Sequence, residues 1–122
     1  MSDTLRGHCA IASAKIALVD EALMTRAALS PERAEEMGKV TELRSGDPRL
    51  TKLAAVLDGA SATLSDAPSI DARLVIRLAC EDGKERVIAG SISGDTGMFV
   101  TVGGKAYKLP ATFRKDVEAL VG

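Results

Sequence analysis

Gly103-Gly104-Lys105, inside the stretch VTVGGKAY, has the residue types of a phosphate cradle: two glycines that expose backbone N–H groups and a lysine to meet the anion. A phosphate-binding loop of that kind needs an earlier glycine at fixed spacing, a Ser or Thr after the lysine, and a helix to follow. Here Phe99 holds the place of the earlier glycine, Ala106 follows Lys105, and KAYKLP alternates like a strand. Gly-Gly is also the preferred content of a two-residue hairpin loop, whose type I′ turn requires positive φ at both positions. Pairing Val102 with Lys105 sets Val100 opposite Tyr107 and Met98 opposite Leu109, all on one face. Turn and pattern agree, so a hairpin with no nucleotide bound is expected.

The other candidate chemistry is thinner. Asp95-Thr96-Gly97 has the letters of an aspartic-protease active site, where two such aspartates share a proton. That setting needs apolar residues before the aspartate and a small residue after the glycine; Ser93-Gly94 and Met98 stand there instead. Gly90-Ser91-Ile92-Ser93-Gly94 lacks the central serine of a nucleophile elbow. A metal site could start from His8 and Cys9, but the chain has one histidine, and Cys80 is the lone further soft ligand. As a Cys-His catalytic pair, His8 and Cys9 would point in different directions on a helix. The carboxylate pairs Asp20-Glu21, Glu35-Glu36 and Glu81-Asp82 fall on solvated helix faces or turns, away from any apolar pocket that would tune them for acid–base work. The reading is a non-enzyme with no catalytic residue, no cofactor and no metal.

Composition narrows the class. In 122 residues, hydrophobic types make up 46% and charged types 27%, which suits one soluble globular domain. Aromatics are 2%, so the core is aliphatic and modest, and oligomerisation is a natural source of further buried surface. Lys and Arg total 16 against 17 Asp and Glu, a balance that gives no general attraction to nucleic acid or to an anionic membrane. Two cysteines are too few for a disulfide framework in a chain this small, so reduced, buried thiols and a cytoplasmic location are expected. CAIASAKIALV has the look of a signal h-region, but Lys15 interrupts it and Asp20-Glu21 follow where small residues would precede cleavage. No apolar run approaches the ~20 residues of a membrane span.

The elements that must position any site divide at residue 65. Cys9, Ala12, Ile16, Val19 and Leu23 step by three and four, predicting a first helix, with Ile11 and Leu18 widening its stripe. Ser30-Pro31 caps a second, running to about Arg44 with Ala34, Met37 and Val40 inside. Gly46 and Asp47-Pro48 punctuate before a third, with Leu50, Leu53, Leu57, Ala60 and Leu64 on one face. From residue 70 the period becomes two: RLVIRLAC, ERVIAGSIS, MFVTV and KAYKL predict four strands, with Leu78 opposite Ile88 and Leu74 opposite Ile92. Pro110 opens a closing helix carrying Phe113, Val117, Leu120 and Val121. The expected fold is α+β: one domain over 1–122, with three N-terminal helices in a helical part (1–65), then a four-stranded antiparallel β-meander and a short C-terminal helix (70–122).

One sheet face is not cleanly polar. It carries Val75, Ala79, Val87, Ala89, Phe99, Thr101 and Ala106, with Arg73, Arg77 and Lys108 among them, where an antiparallel sheet exposed on one side would alternate apolar and polar. Helices of the same chain, a second copy or a partner protein could cover it. The candidate interaction surface is therefore Arg73, Val75, Arg77, Val87, Phe99 and Lys108. The function expected is a small protein-binding module of adaptor, chaperone-like or inhibitor or immunity type, acting as a homodimer with a protein partner and without a membrane. The alternative is a nucleic-acid-associated module using the basic residues of the sheet, disfavoured because stacking aromatics are scarce.

Overall fold

Strands from both halves of the chain enter one antiparallel sheet. The computed structural model describes Leu5, Gly7 and residues 9–19, 30–59, 63–65, 72–91, 98–102, 105–110 and 112–121. Its elements run β1 (Ile11–Leu18), α1 (Pro31–Met37), β2 (Lys39–Leu43), α2 (Arg49–Gly59), β3 (Thr63–Ser65), β4 (Leu74–Cys80), β5 (Glu85–Gly90), β6 (Met98–Val102), β7 (Lys105–Leu109) and α3 (Thr112–Val121). The spatial order is β2-β1-β4-β5-β6-β7-β3. This corrects the expected architecture. The meander β4–β7 and the C-terminal helix are present, but β1 stands where the first N-terminal helix was expected, and the second stops at Met37 and continues as β2. The third ends at Gly59, and Leu64 lies in β3. A helical part over 1–65 does not exist, because β1, β2 and β3 belong to the same sheet as the meander.

The physical reasons are local. β1 lies between β2 and β4 and is packed on both faces, with Ile16 and Ala17 fully buried. A strand covered on both sides has no need to alternate, so its apolar run imitates helical spacing. Ser30 Oγ accepts from Arg33 N at the start of α1, as its cap position predicts. α1 ends at Gly38, whose backbone is already extended (φ −90°, ψ 174°) and lies close to other backbone: a Cβ there would be 2.8 Å from Leu18 O and 2.9 Å from Ala34 O. Only a residue without a side chain fits, and the chain passes straight into β2, where Lys39 pairs with Leu18.

The meander registers are those expected at β6–β7: Val102 pairs with Lys105, Val100 with Tyr107 and Met98 with Leu109. Gly103 and Gly104, and with them the turn type, lie outside the described residues, as do His8, Asp20, Glu21, Leu23, Ile92 and Asp95 to Gly97. At β4–β5 the pairing is Ile76 with Ile88 and Leu78 with Arg86, two residues from the expected register. Gly83, at φ 87°, closes a three-residue loop in which Cys80 N donates to Lys84 O (2.8 Å). A slip of two keeps every side chain on its face, so the alternation could not reveal it.

The two faces bury different residues. On the core face, Ile16, Leu74, Ile76, Ile88, Val100 and Leu109 pack with Leu53 and Leu57 of α2 and with Phe113 and Val117 of α3. The opposite face carries a smaller cluster, Ala17, Val19, Ala72, Val75 and Ala89 with Ala34 of α1. α3 is tied to the sheet by Arg114, which donates from Nη1 to Arg73 O (3.0 Å) and from Nη2 to Val19 O (2.6 Å).

Cys9 and Cys80 form a disulfide. The expectation of reduced thiols is corrected: residues 71 apart in sequence meet because β1 starts beside the end of β4, where Ile11 pairs with Cys80. The segment before β1 is held there as well, with Leu5 buried and its carbonyl accepting from Arg86 Nε. Among the described residues, no helix is long and apolar enough to cross a membrane.

Candidate interaction face

α1 is too short to cover the face it packs on. Seven residues of helix are about 10 Å long, a helix is about 10 Å wide, and strands lie about 4.8 Å apart. It therefore shields about two strands of the seven: it lies chiefly on β4 and β1, with Ala89 and Val87 of β5 at the margin of the same cluster. Along the row Val75–Ala89–Thr101–Ala106, burial fades with distance from α1: Val75 and Ala89 are buried, while Thr101 and Ala106 are half-buried. In the next row Phe99, 36% exposed, pairs with the exposed Lys108. The exposed pair Phe99–Lys108 thus lies beside the small, half-buried pair Thr101–Ala106.

Beneath α1 the face is charged. Arg77 donates from Nε (3.2 Å) and Nη2 (2.6 Å) to the two carboxylate oxygens of Glu35, and from Nη1 to Glu85 (2.7 Å). Lys15 Nζ lies 3.8 Å from Glu35. The hydrogen bonds from Arg77 hold the Glu35 carboxyl below its ordinary range, against the opposing effect of burial, and the Lys15 charge adds to them. The same contacts hold the Arg77 guanidinium above its ordinary range, Glu35 first and Glu85 second. A fork held by two carboxylates pins α1 to β4.

A pH dependence follows. Because folding depresses the Glu35 pKa, its contribution to stability is fully present above the ordinary value of 4.5 and is lost as pH falls through the lower folded value. Asp47, held low by its hydrogen bonds from Arg49, has the same sign. The unfolding free energy therefore falls on acidification below about 4.5, and Glu35→Gln flattens that limb in part, leaving the Asp47 share. Urea titrations at stepped pH measure both profiles; a variant limb as steep as the wild type would refute the assignment to Glu35.

The six residues of the expected interaction surface do not form one surface. Arg73 and Val75 are buried, Val87 is half-buried against the small cluster, and Arg77 is committed to Glu35 and Glu85. Phe99 and Lys108 are exposed and in register. Sequence reasoning missed Glu35 and Lys15, because a helix placed over residues 9–23 put Lys15 on no sheet at all. It also missed a cleft of about 270 Å³ beyond α1, lined by Ser13, Lys15, Glu42, Arg44, Arg77 and Glu85 among others.

The cysteine chemistry considered for His8, Cys9 and Cys80 has no thiolate to use, since Cys9 and Cys80 are bonded to each other. Among the described residues, no group of three His, Cys, Asp or Glu side chains is placed to hold a metal ion. Comparison with protein-family models, with curated proteins and with solved structures finds no match to this chain.

Proposed function

We propose that this chain is a non-enzymatic protein-binding module that works as a homodimer and engages its partner through the β6–β7 part of the sheet face that α1 leaves open. The observation that carries the reading is Phe99: a phenylalanine at 36% exposure, with the small Thr101 and Ala106 beside it and Lys108 opposite it, in a chain with two phenylalanines in all. An exposed aromatic ring beside a small, half-buried pair suits an anchor that buries itself in a partner's pocket. The nucleic-acid alternative is weakened, because Arg73 is buried and Arg77 is already neutralised by two carboxylates. The cytoplasmic location rested on reduced thiols; the Cys9–Cys80 disulfide favours an oxidising compartment instead.

Phe99→Ala is expected to weaken partner binding by tenfold or more, about 2 kcal/mol on the scale of aromatic anchors, while changing the unfolding midpoint little. The partner is first trapped with a photo-crosslinking phenylalanine analogue at position 99, using exposed Lys115 on α3 as the control position. A saturable adduct with one protein at 99, absent at 115 and lost in Thr101→Arg, supports the reading. Equal labelling at both positions, or an adduct only with a second copy of the chain, overturns it.

A further inference from the structure

We propose that the outer edge of β2 pairs antiparallel with the same edge of a second copy, about a two-fold axis at Leu43, so that Glu42 of each copy faces Arg44 of the other. The proposal rests on the homodimer reading above and assigns its interface, at the opposite end of the sheet from Phe99.

Four observations meet at this edge. Among the described residues β2 has a strand neighbour on one side only, β1, and its other side presents backbone groups that a further strand could meet. Among the described residues four large apolar side chains are exposed; one of them, Val40 at 37%, lies in this strand and another, Met37 at 40%, ends α1 just before it. Glu42 and Arg44 are both exposed and make no ion pair among the described residues. The charged cleft opens here, with Glu42, Leu43 and Arg44 in its lining and Lys15 behind them.

The spacing selects the partner. Glu42 and Arg44 are two apart, so both lie on the face that carries α1. A two-fold interface is self-complementary: if residue i meets residue j, then j meets i. Opposite charges two apart on an antiparallel edge therefore satisfy each other twice when the axis passes through the residue between them. Directly opposed residues stand about 5 Å apart, within reach of an ion pair. Moving the axis to Glu42 would set the two Glu42 carboxylates against each other, and moving it to Thr41 would set Glu42 against Val40. Beyond Arg44 the chain turns away, with Asp47 N donating to Arg44 O (2.9 Å) and Gly46 at φ 89°, so the paired stretch is short and centred on Leu43. Charges along an edge also serve to repel foreign strands; here the two signs repel strangers and fit a twin.

A charge-swap cycle read by sedimentation velocity over a wide concentration series tests the register. The wild type dimerises. Glu42→Arg and Arg44→Glu each raise the dimer dissociation constant by roughly tenfold, since each turns two attractions into two repulsions. The double variant Glu42→Arg/Arg44→Glu returns to within about threefold of wild type, which a merely destabilised strand would not do. Thermal unfolding of all four confirms that they fold. A wild type monomeric throughout, single variants without effect, or a double variant no better than the singles overturns the proposal. Phe99→Ala, run alongside, separates the two surfaces: dissociation by that change and not by the charge variants defeats the edge pairing. Charge cycling as expected, with no partner trapped at position 99, defeats the partner face and keeps the edge.

Discussion

Replacing both cysteines, as Cys9→Ala/Cys80→Ala, lowers the unfolding free energy by about 4 kcal/mol. The bond joins residues 71 apart, so it removes a large loop-closure entropy from the unfolded chain. Few covalent links in a chain of 122 residues could close a longer loop to more effect, because this one ties the segment before β1 to the far end of β4. Alanine is the better replacement than serine, since both cysteines are buried and a hydroxyl there would add a polar group to the core cluster. Urea denaturation of the oxidised wild type, the reduced wild type and the double variant makes the comparison, with intact mass and thiol titration establishing the redox state. The two disulfide-free forms should agree within about 1 kcal/mol and fall well below the oxidised protein. An oxidised protein no more stable than either would remove the disulfide from the account of stability.

The second large effect belongs to Arg114. Its side chain is 4% exposed, and its fork reaches two carbonyls, Arg73 O and Val19 O, with Glu118 Oε2 at 3.3 Å from Nε. Arg73 O also accepts from Val19 N, so it keeps a partner if the guanidinium is lost. Val19 O loses the bond from Nη2, and a buried carbonyl is left short of a donor. Arg114→Met, which keeps the length and apolar stem, is expected to cost about 3 kcal/mol. Arg114→Lys should recover only part of that, because one ammonium cannot span both carbonyls with the geometry of the fork. Chemical denaturation reads the three proteins directly. A cost below about 0.5 kcal/mol for Arg114→Met would mean that the carbonyls find water as easily as they found arginine.

Both effects lie outside what local pattern could reveal, and the same divide runs through the whole chain. The amino-acid sequence by itself determined the elements whose information is local. The β6–β7 hairpin follows from Gly-Gly between alternating runs. The start of α1 follows from Ser30-Pro31, and α3 follows from Pro110 and the spacing of Phe113, Val117 and Leu120. In each, a turn or cap residue and a periodicity agree within about ten residues.

What the tertiary structure decided depends on partners far away in the chain. β1 is a strand because β2 and β4 flank it, and a doubly covered strand erases the alternation that would announce it. α1 gives way to β2 after Met37, where Lys39 pairs with Leu18, and the approach of Leu18 O to Gly38, 20 residues away in sequence, leaves no room there for a side chain. Cys9 meets Cys80, and Glu35 meets Arg77, only once β1 and α1 are laid against β4. The face around Val75 was legible as partly apolar, but which half of it stays open was set by the length of a seven-residue helix and by where that helix comes to rest. Turns and caps are written in neighbouring side chains and their φ preferences. Burial on a second face, register and cross-links are written in the distances that packing closes, and those distances exist only in the folded chain.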